Sequence, residues 1–184
     1  RVLFRSEFAD RNPQARVLVV TKSTDILESA THWAQGGIAA AMQGGDDINS
    51  HVQDTLNTGC GLSKEETVRL VVAEGADRVH DLIRRGVNFT RKDDKSDEFD
   101  FTREGGHSRR RILHSADHTG RAIMEALVAE AARHPRIEIR TQTIAVDLVS
   151  EHKLAHVRSS AGDVCLGAYL LDIKTNNVYS VSAR

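Results

Sequence analysis

A valine-rich apolar run, RVLVVT at residues 16–21, is the strongest structural signal in the sequence. Continuous apolar runs of this length, without polar alternation, are typical of strands buried on both faces of a parallel sheet. Such a sheet needs a substantial core, and the chain provides one because 40% of its 184 residues are hydrophobic. The run therefore predicts a globular α/β protein of one domain or a large part of one.

Two helices are predicted before a charged loop. Ser63 followed by Glu66 resembles a capping box, and apolar residues then recur at helical spacing until Gly86. A shorter amphipathic segment, Ser50 to Thr58, precedes it. The sequence RKDDKSDE at residues 91–98 is a charged loop.

A further helix and a strand-rich segment complete the chain. Thr119 is placed to cap a helix that Pro135 stops. Beyond it, the apolar patterns predict strands at residues 137–140, 143–149, 165–173 and 178–183. Asn176-Asn177 predicts a hairpin turn between the last two, because asparagine tolerates positive φ. The layout is α/β with a β-hairpin near the C-terminus.

The segment ATHWAQGGIAAA, residues 30–41, is a candidate ligand loop that follows the buried strand. In doubly wound sheets, ligands bind beyond the carboxyl ends of strands, and Gly36-Gly37 would allow a flat or phosphorylated ligand to approach the backbone. Paired glycines are also common in plain turns. The dinucleotide fingerprint G-x-G-x-x-G is absent, since Gly59-Cys60-Gly61 is followed by Lys64 at the third glycine position.

The polar stretch REGGHSRRRILHSADHTGR, residues 103–121, is the other candidate site. His114 and His118 would share a helical face, which makes a metal site conceivable, but the glycines before them disfavour a helix. The guanidinium groups of Arg103 and residues 109–111 suit bidentate binding of carboxylates or phosphates. A solvated basic edge and hydrogen-bonding histidines remain the simpler alternatives.

Composition excludes several broad functions. With 25 Lys and Arg against 26 Asp and Glu, the chain is not a general polyanion binder, and no aromatic residues interleave with its arginines as in nucleic-acid sites. Cys60 and Cys165 are too far apart in sequence to suggest a disulfide framework or a thiolate zinc site. No segment is long and apolar enough to span a bilayer, and no signal-peptide layout is present. We expect a cytoplasmic protein with neither nucleic-acid nor membrane partners.

Seven segments, in order and at matching spacing, resemble the L-aspartate oxidase family of FAD-dependent enzymes in bacterial NAD biosynthesis. They are VLVVTKS, WAQGGIAA, SHVQDTLNTGCGL, VNFTR, FTREGGHSRRRILHSADHTGR, AVDLV and CLGAYLLD. The AQGGIAA segment is shared with the related succinate dehydrogenase and fumarate reductase flavoproteins. TREGGHS followed by RIL and TGR is typical of the aspartate oxidase branch.

The resemblance implies a fold, a cofactor and a reaction. The fold would be part of a Rossmann-like FAD-binding domain, with a parallel sheet and an added β-hairpin or meander. L-aspartate would be oxidised to iminoaspartate by hydride transfer to FAD, with oxygen or fumarate as the acceptor, in the first step of quinolinate and NAD synthesis. Quinolinate synthase would be the downstream partner.

The resemblance also assigns residues. Glu104 in TREGGHS would orient the amino group of the substrate, since an ammonium is what distinguishes aspartate from succinate. No metal is implied. The residues implied to contact FAD are Lys22, Ala30, Thr31, His32, Trp33, Ala34, Gln35, Gly36 and Gly37.

The family pattern implies a larger enzyme than these residues provide. The first strand with its G-x-G-x-x-G turn is missing, as are the capping and C-terminal domains with the catalytic acid. Residues 1–184 are thus expected to be a partial FAD-binding domain. Two alternatives stay open: a fumarate reductase or succinate dehydrogenase relative, and a non-catalytic remnant of the family.

Overall fold

The computed structural model of the chain describes residues 2–93, 95–155 and 163–183. In chain order the elements are α1 (Val2–Arg11), β1 (Val17–Val20), β2 (Ile38–Ala39), α2 (Ile48–Thr58), α3 (Glu65–Arg84), β3 (Phe101–Thr102), β4 (Ile112–Leu113), α4 (Thr119–Arg133), β5 (Ile137–Arg140), β6 (Thr143–Ser150), α5 (Glu151–Ala155), β7 (Cys165–Asp172) and β8 (Asn177–Ser182). None of the helices in this part of the chain combines the length and the apolar character that crossing a bilayer requires.

The chain divides into two compact units, of which the first combines Arg1–Glu28 with Ala131–Arg184. Its centre is a parallel pair made of two of the predicted strands, in which β1 and β5 run side by side with Val17 opposite Ile137. Hydrogen bonds from the amides of Val17 and Thr21 to the carbonyls of Arg136 and Arg140 extend the pairing at both ends. The prediction of a parallel strand is confirmed, but of the four residues of β1 only Val19 is fully buried, so the strand is less enclosed than its sequence predicts.

The predicted C-terminal strands form an antiparallel sheet in the order β6-β7-β8. The turn between β7 and β8 contains Asn176 at φ 55°, as its sequence predicts. Gly167 in β7 has φ 157°, and a Cβ there would lie 2.0 Å from the carbonyl oxygen of Val181. This sheet is the predicted meander.

The second unit, Ser29–Glu130, contains α2, α3 and a three-stranded antiparallel sheet in the order β2-β4-β3. Helices α2 and α3 pack against each other, since apolar residues recur on one face of each. Buried side chains of this unit include Val52, Val72, Val79, Leu82, Val87, Phe89, Phe101, Ile112 and Leu113. This unit contains both candidate segments, residues 30–41 and 103–121. Lys22, which the resemblance assigns to FAD, lies in the first unit.

Capping explains where two of these helices begin and end. At the start of α2, the carboxylate of Asp47 accepts the amide N–H of Ser50 at 3.0 Å. At the end of α3, Gly86 takes φ 96°, and the amides of Val87 and Gly86 donate to the carbonyls of Leu82 and Ile83. This pair of bonds is a Schellman motif, which stops the helix where the glycine predicts.

Two predicted helix caps are wrong. The N-cap of α3 is Lys64, with no side-chain capping bond, so Ser63 lies one residue too early to cap. The left-handed residues Cys60 and Gly61 turn the chain so tightly that Ser63 lies against Gly59 instead. Thr119 is the first residue of α4, and its hydroxyl accepts the amide of Ser115 at 3.1 Å, in the preceding loop.

Candidate cofactor and substrate site

Within the candidate ligand loop of residues 30–41, residues 30–37 have no regular secondary structure and are mostly exposed. Trp33 is 73% exposed, an unusual position for a large aromatic side chain. The ring of His32 meets the Trp33 ring edge-on, with centroids 5.3 Å apart. The loop therefore presents aromatic surface and open backbone to its surroundings.

Two contacts with the polar stretch of residues 103–121 hold this loop. The amide of Gly120, in the first turn of α4, donates to the carbonyl of Ala34 at 2.9 Å. The loop also crosses β4 closely, because a Cβ on Gly37 would lie 2.3 Å from the carbonyl oxygen of Leu113. After the loop, β2 pairs with β4. The polar stretch is thus the support on which the ligand loop lies.

The two loop glycines have different surroundings. Gly37 is needed for the close approach of the loop to β4. A Cβ on Gly36, in contrast, would have no atom of the described part of the chain within 4 Å, apart from its own chain neighbours. Nδ1 of His32 is buried and finds no hydrogen-bond partner in the same part of the chain. Open backbone space and an unsatisfied polar atom on the same loop are features that suit a flat, polar cofactor.

Glu104 lies in a tight turn supported by α2. The amide of His107 donates to the carbonyl of Glu104 at 3.2 Å, and Gly106 has φ 83°, which makes residues 104–107 a turn that requires glycine. A Cβ on Gly106 would lie 2.7 Å from the hydroxyl oxygen of Thr58 at the end of α2. The Glu104 carboxylate is exposed, with no hydrogen-bond or ion-pair partner among the described residues.

Behind this turn lies a buried ionic network centred on Arg111, whose side chain is 0% exposed. Its Nε and Nη2 donate to the two carboxylate oxygens of Asp46 at 2.8 and 2.7 Å, and Nη1 donates to Asp54 Oδ2 at 2.5 Å. Nη2 also donates to the hydroxyl of Ser50 at 3.1 Å. Arg111 is therefore committed to structure and is not available for a ligand.

The network shifts the protonation of its acids. Burial alone would raise the pKa of Asp54, but hydrogen bonds from the amide and hydroxyl of Ser108 and from Arg111 outweigh it and lower the pKa to about 2. For Asp46, burial also opposes ionisation, yet the hydrogen bond and charge of Arg111 lower its pKa overall. Burial, followed by the charge of Arg111, lowers the pKa of His51. At neutral pH the network holds ionised aspartates and a neutral His51.

A family model described as an FAD binding domain matches residues 8–184. The chain belongs to the FAD-binding domain family. The L-aspartate oxidase of Pseudomonas aeruginosa is 43% identical over 174 residues, which cover 92% of this chain and 31% of that protein. L-aspartate oxidase 1 of Ralstonia nicotianae is 42% identical, with 91% of this chain and 31% of that protein covered. The chain thus spans 31% of the length of these curated relatives.

Comparison of structures confirms the fold of this FAD-binding domain. Quinol fumarate reductase of E. coli superposes with a TM-score of 0.85 over 99% of this chain and 29% of that chain, at 22% identity. The prediction of an α/β, Rossmann-like FAD-binding domain is confirmed, and so is FAD as the cofactor of the family. The resemblance to L-aspartate oxidases is confirmed by the curated relatives.

The histidines of the polar stretch lie in separate contacts with their neighbours. Nε2 of His114 lies 3.6 Å from Asp100, His118 contacts its neighbour Asp117 at 2.5 Å, and Nδ1 of His107 lies 3.4 Å from Arg111. Among residues 2–93, 95–155 and 163–183, no group of three or more metal-binding side chains converges. The metal alternative has no support in this part of the chain.

The arginines of the polar stretch separate into different roles. Arg111 is buried in the network, and Nε of Arg110 donates to the carbonyl of Phe101 at 2.7 Å. Arg103 and Arg109 are exposed and have no side-chain partner within the described ranges. Sequence reasoning could not separate these arginines, because all of them share one residue type on one short segment.

Lys22 and Asp54 differ in how the sequence indicated them. Lys22 is exposed and lies after β1 in the first unit. Asp54 was not singled out from the sequence, although it binds both Ser108 and Arg111. Its only sequence signal is its position inside SHVQDTLNTGCGL, one of the segments that carry the resemblance.

Proposed function

We propose that this FAD-binding domain is part of an L-aspartate oxidase, which oxidises L-aspartate to iminoaspartate. When bound, FAD supplies the chemistry by accepting a hydride from the substrate Cα. Oxygen or fumarate would be the final acceptor. The curated relatives support this proposal, since both are L-aspartate oxidases and match more than nine-tenths of this chain.

The structural observation that carries the proposal is the free carboxylate of Glu104. Three other polar side chains on this segment are bound to protein groups, Ser108 to Asp54, Arg110 to Phe101 and Arg111 to Asp46, whereas Arg103 and Arg109 are exposed. The Glu104 turn, in contrast, is anchored through its backbone and leaves the acid available. An exposed acid on a rigid turn is suited to bind a cation such as the substrate ammonium.

This role explains discrimination among dicarboxylates. Aspartate, succinate and fumarate all carry two carboxylates, so positive groups that bind carboxylates cannot separate them strongly. A single acid attracts aspartate through its ammonium and repels the others, which have no cation to offer. Glu104 would thereby orient the amino group.

For the cofactor, we propose that residues 30–37 contact FAD. The exposed backbone at Gly36, the buried and unsatisfied Nδ1 of His32 and the exposed ring of Trp33 support this assignment. The assignment of Lys22 rests on the resemblance alone. A cytoplasmic location and quinolinate synthase as the downstream partner belong to the same proposal.

The substitution Glu104→Gln in the whole protein tests the substrate assignment. It removes the negative charge and keeps the shape of the side chain. Loss of one charge-assisted hydrogen bond should lower kcat/KM for L-aspartate by roughly 10- to 100-fold. Reduction of fumarate should change far less. Steady-state kinetics with both substrates, on protein whose visible spectrum shows retained flavin, measures the difference.

Glu66→Gln is the matched control, because Glu66 is an exposed acid on α3 far along the chain from the turn. It should leave both activities unchanged. Equal losses with aspartate and fumarate in Glu104→Gln would contradict the role in amino-group binding. Turnover of succinate or fumarate without any use of aspartate would instead favour the fumarate reductase or succinate dehydrogenase alternative.

A further inference from the structure

One carboxylate oxygen of α2 binds the segment that follows the turn of Glu104. Oδ2 of Asp54 accepts the amide N–H of Ser108 at 2.8 Å and the hydroxyl of Ser108 at 2.8 Å. The same oxygen accepts Nη1 of Arg111 at 2.5 Å. Three donors on the polar stretch therefore converge on one atom of the helix.

The neighbours of Asp54 make this attachment rigid. Its side chain is only 13% exposed, and its charge is balanced by the fully buried Arg111. Arg111 is itself held in a planar fork by Asp46, just before α2. Ser50, one helical turn before Asp54, places its hydroxyl 3.2 Å from the hydroxyl of Ser108. Helix and turn are thus joined at several points.

The attachment lies close to Glu104 but leaves its carboxylate free. Gly106 contacts Thr58 on the next turn of α2, and Ser108 follows the turn directly. The last residue of the turn, His107, has Nδ1 3.4 Å from Arg111. The backbone on the C-terminal side of Glu104 is therefore determined by α2 and the buried network.

From this geometry we infer that Asp54 is a positioning residue for Glu104, which acts by holding the turn of residues 104–107 through Ser108 and Arg111. The inference rests on the proposed function and deepens it, because it names the group that orients the specificity residue. Asp54 does not touch the substrate in this account. It sets where the Glu104 carboxylate can reach.

A double-mutant cycle tests this role in the whole protein. Asp54→Asn removes the charge that binds Ser108 and Arg111, and the displaced turn should lower kcat/KM for L-aspartate by roughly 10-fold or more. If Asp54 acts through Glu104, the same substitution in a Glu104→Gln background should cost less than about 3-fold, because the positioned group is already lost. An additive loss in both backgrounds would overturn the inference.

Hydrogen–deuterium exchange provides a readout independent of turnover. In Asp54→Asn, amides of residues 104–108 should exchange faster, while those in the middle of α3 should keep the wild-type rate. Unchanged exchange in the turn would also overturn the inference. Asp77→Asn, an exposed acid on α3, is the matched control and should alter neither exchange nor kinetics.

Ser108→Ala addresses the risk that Asp54→Asn fails to fold. It removes one donor to Asp54 and leaves the ion pair with Arg111 intact, so the same non-additivity with Glu104→Gln is expected on a smaller scale. Failure of the proposed function would appear differently, as a wild-type protein with bound flavin that does not oxidise aspartate. In that case the exchange measurement alone decides whether Asp54 holds the turn.

Discussion

Gly36 and Gly37 are neighbours in the sequence, but the structure surrounds them differently. A Cβ on Gly37 would lie 2.3 Å from the Leu113 carbonyl and 2.4 Å from a methyl of Ile112, whereas the same position at Gly36 is open. Backbone cannot yield as a flexible side chain can. Gly37→Ala should therefore destabilise the protein by about 1–3 kcal/mol, as overpacking does elsewhere.

Urea unfolding and the retained flavin spectrum separate the two positions. Gly37→Ala should lower both the unfolding midpoint and the retained FAD, because the loop is displaced from β4. Gly36→Ala should keep the wild-type stability within about 0.5 kcal/mol and lose flavin affinity alone. A stable Gly37→Ala protein with normal flavin binding would refute the close packing of the loop on β4.

At the scale of secondary-structure elements, Arg111 joins α2 to β4. Its guanidinium binds Asp46 before the helix and Asp54 within it, and its carbonyl accepts the amide of Ala40 beside the β2–β4 pair. Arg111→Gln would leave two carboxylates with little exposure and no counter-charge. Removing one partner of a buried ion pair costs about 3–5 kcal/mol, and we expect a loss of that size in the free energy of unfolding.

Arg109→Gln is the control from the same run of arginines. The Arg109 side chain is exposed and has no partner in the described part of the chain. The free energy of unfolding of Arg109→Gln should therefore differ from that of the wild type by less than about 0.5 kcal/mol. If Arg111→Gln does not fold, Arg111→Lys keeps the charge but not the planar fork and should show an intermediate loss. Equal stability of Arg109→Gln and Arg111→Gln in urea titrations would contradict a structural role for Arg111.

At the scale of the whole molecule, the network makes stability depend on pH in one direction. The pKa of His51 is lowered from 6.5, and that of Asp54 is lowered from 3.8 to about 2. Both groups bind protons more readily in the unfolded chain. Their contributions to the free energy of unfolding are therefore complete above pH 6.5 for His51 and above pH 3.8 for Asp54, and they are lost as the pH falls. Stability should start to decline below pH 6.5 and decline further between pH 3.8 and 2.

Urea unfolding as a function of pH measures this dependence. His51→Gln should remove part of the decline that begins below pH 6.5, and Asp54→Asn should flatten the more acidic part. Asp77→Asn should leave the whole profile unchanged, because the group is exposed and has no partner in the described ranges. Stability that rises as pH falls from 6.5 would contradict the neutral state of buried His51.

Much of the fold follows from sequence because its signals are local. The valine run predicts β1, the helical spacing and Gly86 predict α3 and its end, and Asn176 predicts the last turn. Each depends on side-chain period or backbone freedom within a few residues. The two failed caps, at Ser63 and Thr119, are also local patterns, but neighbouring turns gave those side chains other contacts.

The site depended on contacts that no local pattern contains. Resemblance pointed to residues 30–37 and to Glu104, but only folding brings Gly120 to Ala34 and Gly37 to Leu113. Arg111 meets Asp46 and Asp54, which lie 65 and 57 residues away in the chain. Sequence determines which residue types and which elements are available. The tertiary structure decides which of several similar arginines and glycines is buried and which is free, because burial and pairing are properties of neighbours in space.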